Sequence, residues 1–319
     1  MKNIITFTIN PAIDKNTTVD HLEPEHKLHC TNPIYNPGGG GINVSRAIKR
    51  LGGDSLAVFT AGGHTGSFLQ EMLTKEDVRQ LVIPIAQRTR ENFIVVETTT
   101  NHQYRFGLGG PSLDESEWQT CLNVLSQLNP DYFVVSGSLS PGVPSDFYAQ
   151  VARLARKTGA RFILDTSGEA LTLAVNEGVY LLKPNRAELG RLIGVKALKT
   201  EDLEEAARMI ISRGYCEVVA ISLGEQGALM VAKDQAEHVM APEAPKRSTV
   251  GAGDSMVAGM VWKLSQGSSL SEMVRYGVAC GTAATMNTGT ELCYIKDVEQ
   301  LYSQINTLAQ RSDANMLIS

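Results

Sequence analysis

Residues 248–256 read STVGAGDSM, in which Gly251, Ala252 and Gly253, three residues with almost no side chain, precede the acid Asp254. The stretch SMVAGMVWKL that follows carries Val257, Met260, Val261 and Leu264 at i, i+3, i+4 and i+7, which predicts an amphipathic helix. The three small residues then lie at its N-terminus, where unpaired N–H groups and the positive end of the helix dipole form a site for an anion. Taken alone, Asp254 reads more simply as a first-turn acid favoured by that dipole. An acid beside a docked phosphate, however, is repelled unless it has a task, and accepting a proton from an attacking hydroxyl is such a task.

Three further stretches bear on that choice. KPNRAEL (183–189) follows an apolar run and enters a helix, with Asn185 and Glu188 on one face. An amide and a carboxylate so spaced can hold a hydrated Mg²⁺; they are also what a capping box requires, which is the simpler account of the motif alone. SLGEQGAL (222–229) has the form of a tight turn between strands, with Gly224 and Gly227 either as turn glycines or as a bare wall against a nucleotide. NPGGGGINVSRAIKRLG (36–52) places Gly38 to Gly41 before a helix, either as a flexible loop or for close approach of a polyhydroxylated substrate bonded by Asn43. No GxxxxGK[ST], GxGxxG after a strand, GxSxG or HExxH occurs.

The elements that position these residues are legible as a rhythm. Short Val- and Ile-rich runs end in small polar residues at IITFTINP (4–11), LAVFTAGG (56–63), YFVVSGS (132–138), RFILDTSG (161–168), VYLLKPN (179–185) and EVVAISLG (217–224). Amphipathic helices lie between several of them, such as 145–159 and 201–214, the latter closed by Gly214. Continuous apolar strands alternating with helices predict a mostly parallel sheet covered on both faces, with ligands outside the carboxyl ends of its strands. Asn10, Asp14, Ser136, Ser138, Asp165, Lys183, Asn185 and Ser222 are expected on that rim.

Residues 15–35 and 92–107 break the rhythm. Their alternation predicts antiparallel strands wet on one face, with a hairpin turn at TTNHQ (99–103), pairing into a small sheet that acts as a lid. The core is then 1–14, 36–91 and 108–305, and 306–319 is expected to be an irregular tail. Lys27, Arg90 and Arg105 sit in or beside the lid. Lone cations are ordinarily just solvated, but three over a sugar site would suit a phosphate already on the substrate.

A chain of 319 residues, 43% hydrophobic, with net charge −5 and a pI near 5.7, offers no basic face for nucleic acid or an anionic membrane. Five scattered cysteines without a CxxC pair fit a reducing cytoplasm. The opening MKNIITFTINP is too short for a signal-peptide core, and no run reaches transmembrane length.

In order, TINPAID (8–14), NPGGGGINVSRA (36–47), SGSLSPG (136–142), DTSGEAL (165–171), KPNRAEL, SLGEQGAL and STVGAGDSM resemble the ribokinase-like, PfkB-type sugar kinases over residues 1–305. Within that family the chain looks like the phosphosugar branch, above all its minor bacterial 6-phosphofructokinase members. The resemblance implies a three-layer α/β/α core with a β-sheet lid and transfer of phosphate from ATP to fructose 6-phosphate. Fructose 1-phosphate or tagatose 6-phosphate is the alternative acceptor, as in other members of the branch. It implies Asp254 as the base and Gly251, Ala252 and Gly253 as the anion hole. Asp14, Gly38, Gly39, Asn43 and Ser138 would hold the sugar, and Arg90, Lys27 and Arg105 its phosphate. Lys183, Asn185, Ser222, Gly224 and Gly227 would face ATP, with Asn185 and Glu188 toward Mg²⁺ through water. Ser248, Val250, Asn287 and Gly289 would form a loop for a monovalent cation such as K⁺, and the lid would clasp a second copy into a homodimer. The chain departs from the 6-phosphofructokinase pattern at His29 and Glu291, where those members carry Arg. A sugar-phosphate or nucleotide sensor on the same fold would not need Asp254 together with the complete anion hole.

Overall fold

The computed structural model describes residues 2–316, with side chains through residue 310. In chain order the strands are β1 (Ile4–Thr8), β2 (Ala12–Val19), β3 (Ile34–Gly38), β4 (Leu56–Ala61), β5 (Arg79–Pro84), β6 (Arg90–Glu97), β7 (His102–Phe106), β8 (Tyr132–Ser136), β9 (Arg161–Asp165), β10 (Val179–Leu182), β11 (Cys216–Ser222), β12 (Ala228–Ala232) and β13 (Ala236–Val239). The helices are α1 (Gly40–Arg50), α2 (Gly63–Lys75), α3 (Glu115–Ser126), α4 (Phe147–Thr158), α5 (Gly168–Val175), α6 (Arg186–Ile193), α7 (Leu203–Ser212), α8 (Ala252–Ser265), α9 (Leu270–Thr285) and α10 (Ile295–Met316).

One nine-stranded sheet has the order β13-β12-β11-β10-β9-β8-β1-β4-β5. From β11 to β5 every neighbouring pair is parallel, and β12 is antiparallel to both β11 and β13. Side chains alternate across it, as the two-residue strand period demands. Ile4, Tyr132, Val134 and Ile163 enter a core shared with α1, α8, α9 and α10. Ile5, Phe7, Phe133 and Val135 enter another shared with α3 to α7. Burial on both faces is why these strands are continuous apolar runs, and the result is the expected α/β/α sandwich.

The lid is a four-stranded sheet of order β3-β2-β6-β7. The hairpin turn lies where the alternation places it, between β6 and β7. Two expectations need correction. The central lid pair, β2 and β6, is parallel rather than antiparallel. Both strands leave the carboxyl edge of the parallel core sheet, after β1 and β5, and so leave it in the same direction. The lid strands also begin earlier and end later than the alternation suggests, so Asp14, Gly38 and Arg90 stand on lid strands, while 20–33 is irregular. A third correction concerns the C-terminus. The expected irregular tail from 306 is instead a continuation of α10, since no Gly or Pro interrupts 295–316 and Ile305 is anchored in the core. Residues 317–319 of that expected tail lie outside the described residues.

Lid and core are joined by Arg46 of α1, whose side chain is fully buried. Its Nη1 donates to Pro37 O in β3 at 2.9 Å and to Asn43 Oδ1 at 3.3 Å, while Nη2 and Nε donate to the Glu76 carboxylate at 2.6 and 2.7 Å. Replacing Arg46 by Met keeps the stem but leaves a buried carbonyl and a carboxylate without their donor. Urea unfolding is expected to register a loss of about 3 kcal/mol. Glu76→Gln, at a side chain 29% exposed, should lose clearly less.

Candidate active site

The carboxyl ends of β8, β9 and β10 and the N-termini of α1 and α8 meet at Asp254. Asn43 Nδ2 donates to Asp254 Oδ2 at 2.9 Å, and Ser136 Oγ donates to Oδ1 at a longer 3.4 Å. Such proximity of helix and strand ends requires glycines. A Cβ on Gly40 would collide with Ser136, and one on Gly41 would lie 2.6 Å from Phe7 O. Part of the four-glycine run is thus explained by helix packing. Gly251, the N-cap of α8, has φ +75°, and a Cβ there would meet Leu292 Cδ2 at 2.7 Å. The amides of Ala252, Gly253 and Asp254 are consequently the free first-turn donors of α8.

Burial and the neighbouring Asp165 push the Asp254 carboxyl up to about 6, against the pull of Asn43, Lys183 and Ser136 in the other direction. Lys183, 7% exposed, lies with its Nζ 3.0 Å from Asp165 Oδ1. Burial works against its charge, yet Asp165, Asp254 and Glu188 together hold its pKa above the usual lysine range, so it stays an ammonium. Asp165 and Ser136, two of the polar residues expected on the strand-end rim, take part in this cluster. Register brings them together, since they are direct partners at the ends of β8 and β9.

On the lid side, Asp14 of β2 lies between Asn36 of β3 and Asn92 of β6 in one row. Asn92 Nδ2 donates to Asp14 Oδ1 at 2.9 Å. Burial raises the Asp14 pKa, offset by Asn92, Arg90, Arg46 and Arg105. A Cβ on Gly38 would sit 2.8 Å from the Asp14 carboxylate, so this glycine leaves room for it. Arg90 is half-buried and donates to the carbonyls of Leu108 (2.7 Å), Asn10 (3.1 Å) and Pro11 (3.4 Å), and burial lowers its pKa. Arg105 Nη2 donates to Thr249 Oγ1 at 2.8 Å, and Ser138 Oγ accepts from Asn10 Nδ2 at 3.3 Å. Gly39, at φ +112°, is the N-cap of α1. Lys27 stands apart, exposed in the 20–33 segment, with no hydrogen bond or ion pair among the described residues.

On the other side of α8 lies a cleft of about 650 Å³. It is lined by Ser222, Gly224 and Gly227 at the β11–β12 turn, by Gly253 of α8 and by Thr282 and Thr285 of α9. Asn185 caps α6 and bridges to Ser222. Its Oδ1 accepts from Glu188 N and its own N donates to Glu188 Oε2, both at 2.9 Å, so the capping box forms and Glu188 Oε1 remains unengaged by it. The two candidate cation-loop segments are in contact: Ser248 Oγ donates to Gly289 O at 2.6 Å and accepts from Val250 N at 3.2 Å. The Asn287 side chain instead pins its own loop, donating to Ala283 O and Leu292 O. Among the described residues no group of three or more His, Cys, Asp or Glu is placed to hold a metal.

Because the folded-state pKa of Asp254 lies above its unfolded value, the stabilising protonated form is lost as pH rises through about 6. Ionising it in the fold costs on the order of 3 kcal/mol. Asp254→Asn is therefore expected to raise the melting temperature at pH 7.5, with the gain shrinking toward pH 4. A gain independent of pH would contradict this electrostatic picture.

Comparison with known proteins agrees with the geometry. Residues 5–297 match the pfkB family of carbohydrate kinases. The ATP-dependent 6-phosphofructokinase isozyme 2 of Escherichia coli K12 is 43% identical over 308 residues, covering 96% of this chain and all of that one. Its counterpart in Mycobacterium tuberculosis H37Rv is 45% identical over 301 residues, covering 94% and 88%. The crystal structure of phosphofructokinase-2 from Escherichia coli in complex with potassium superposes with a TM-score of 0.93 at 42% identity, covering 96% of this chain and 100% of that one. A buried, partly basic carboxylate beside free helix amides, set between a lid and a nucleotide-sized cleft, thus accompanies similarity along nearly the whole length, and the chain belongs to the pfkB family of carbohydrate kinases.

Proposed function

We propose that this kinase transfers the terminal phosphoryl group of ATP to the 1-hydroxyl of fructose 6-phosphate. The observation that carries this is Asp254, a carboxylate with its pKa pushed up to about 6 in the first turn of α8, beside amides that no residue caps. Oδ2 is occupied by Asn43, whereas among the described residues Oδ1 has only the long bond from Ser136, so Oδ1 accepts the acceptor's proton. The first amides of α8 and the Lys183 ammonium face the charge that develops in flight. The sugar lies against the Asn36–Asp14–Asn92 row with its phosphate toward Arg90 and Arg105, and the nucleotide fills the Ser222–Thr285 cleft. The lid over both excludes water. The relatives named 6-phosphofructokinase support this acceptor.

Glu188 Oε1 and the Asn185 amide suit Mg²⁺ held through water, which neutralises phosphate charge when bound. Ser248, Val250, Asn287 and Gly289 are where a monovalent cation belongs, in keeping with the potassium in the Escherichia coli relative's crystal structure. The outward face of the lid carries Tyr35, Lys15, Phe93 and Phe106 in one row across all four strands. Phe93 is 42% and Phe106 50% exposed, an apolar surface that a second copy would cover. Its place of action is the cytoplasm, supported by the five unpaired thiols; among the described residues no helix is long and apolar enough to cross a membrane.

ADP release with ATP-Mg²⁺ and fructose 6-phosphate, fructose 1-phosphate or tagatose 6-phosphate in turn tests the acceptor. Turnover is expected to be greatest with fructose 6-phosphate, and a clear preference for another sugar would move the assignment. Asp254→Asn should lower turnover by about 10²–10⁴-fold with ATP binding retained. The acid limb of the pH profile should fall near pH 6 and move upward in Lys183→Met, since that ammonium lowers the Asp254 pKa. Phe93→Ser with Phe106→Ser should yield monomers in sedimentation; an unchanged assembly would exclude the lid face as the dimer contact.

A further inference from the structure

The lid touches the core at two kinds of place. At its outer edge, Gln103 and Arg105 of β7 reach Ser248 and Thr249, and Arg105 itself is exposed. At its root the contacts are more buried. Asn36, 7% exposed, donates from Nδ2 to Glu291 Oε1 at 3.1 Å and accepts at Oδ1 from Asn16 Nδ2 at 2.9 Å. Asn16 Nδ2 also donates to Thr290 Oγ1 at 3.1 Å. Glu291 is fixed in turn: Arg50 Nη2 lies 2.8 Å from its Oε2, and Tyr294 Oη donates to Oε2 at 3.0 Å. Arg50 stacks over the Tyr294 ring at 4.6 Å and donates to Leu292 O, which fastens the network to the end of α1.

We infer that Glu291 is a positioning residue that sets the sugar-facing row of the lid by holding Asn36. Asn36 is the direct cross-strand partner of Asp14, so a shift in its amide is delivered to the middle of the row proposed to contact the sugar. Without the Glu291 acceptor, a buried Nδ2 donor is left unpaired and Asn36 must turn to find another. Asn16 then loses the Asn36 acceptor, and its bond to Thr290 is left as the remaining tie at this point. The nucleotide cleft, walled by the β11–β12 turn and α9, does not include this network.

The test rests on the sugar-kinase reading for its kinetic arm and on no activity for its second arm. In the full-length enzyme, Glu291→Ala is expected to raise KM for the sugar phosphate about tenfold, the scale of one lost buried hydrogen bond. KM for ATP and kcat should stay within about twofold, in keeping with an effect confined to sugar binding. Glu291→Gln retains an acceptor for Asn36 and should restore most of the sugar KM. The split is measured on whichever phosphosugar the wild type turns over best. An unchanged sugar KM in Glu291→Ala, or equal changes in both KM values and kcat, would overturn the assignment. Amide hydrogen exchange needs no substrate: β2 and β3 should exchange faster in Glu291→Ala than in Glu291→Gln or wild type. Equal protection in all three would overturn it even if no sugar were turned over.

Discussion

The hydrogen bond between Asn43 and Asp254 ties together the N-termini of two helices on the same rim of the sheet, and the rest of the site is arranged around the carboxylate it holds. A buried carboxylate tends toward the neutral acid, which cannot accept a proton; a well-solvated one is ionised but too weak a base. Asp254 is kept between these limits by opposed contributions. Burial and Asp165 raise its pKa, while Asn43, Lys183 and Ser136 lower it. The balance leaves it ionised at neutral pH and still appreciably basic. Each contributor comes from a different element, so no single helix or turn could supply the environment. The parallel sheet brings those strand ends and helix starts to one line, which is the physical reason for placing the chemistry there.

Much of the frame was legible because strands buried on both faces have no choice but to be apolar throughout. The runs at 4–8, 132–136 and 161–165 became neighbouring strands for that reason. The amphipathic run after Asp254 likewise fixed α8 and the position of its first turn. Strand direction in the lid was not legible, because alternation reports which face is wet and says nothing about where the chain leaves the core sheet. The helix beyond 306 was missed because polar residues without a sustained apolar stripe read as irregular, although nothing in 295–316 breaks a helix.

Motif spacing singled out Asp254, Asn185 and Glu188 as candidates but could not say which partners they take. Asn43 was expected to meet a hydroxyl, and its amide nitrogen donates to the Asp254 carboxylate. Lys183 was expected at the nucleotide, and its nearest charge is Asp165. Arg90 is engaged by three backbone carbonyls, which orients its guanidinium and leaves it less free than a surface cation. In each case the partner is distant in sequence and close only through sheet register, information that no local pattern contains.

The lid shows how register and chemistry depend on one another. A slip of one residue in β2 would turn Asp14 outward and bring Lys15 inward, exchanging an acid for a cation over the site. Asn36 of β3 accepts from Asn16 and Asn92 of β6 donates to Asp14, so such a slip would break side-chain bonds to both neighbouring strands. The row they protect has amides on both sides of Asp14, and an amide can donate and accept. Asn36 and Asn92 therefore satisfy themselves within the protein, Asn36 with Glu291 and Asn16, Asn92 with Asp14 and the Leu108 amide. A charged pair in their place would bind its neighbours more strongly and release them at greater cost. Amides order this row through hydrogen bonds without adding further charge beside Asp14.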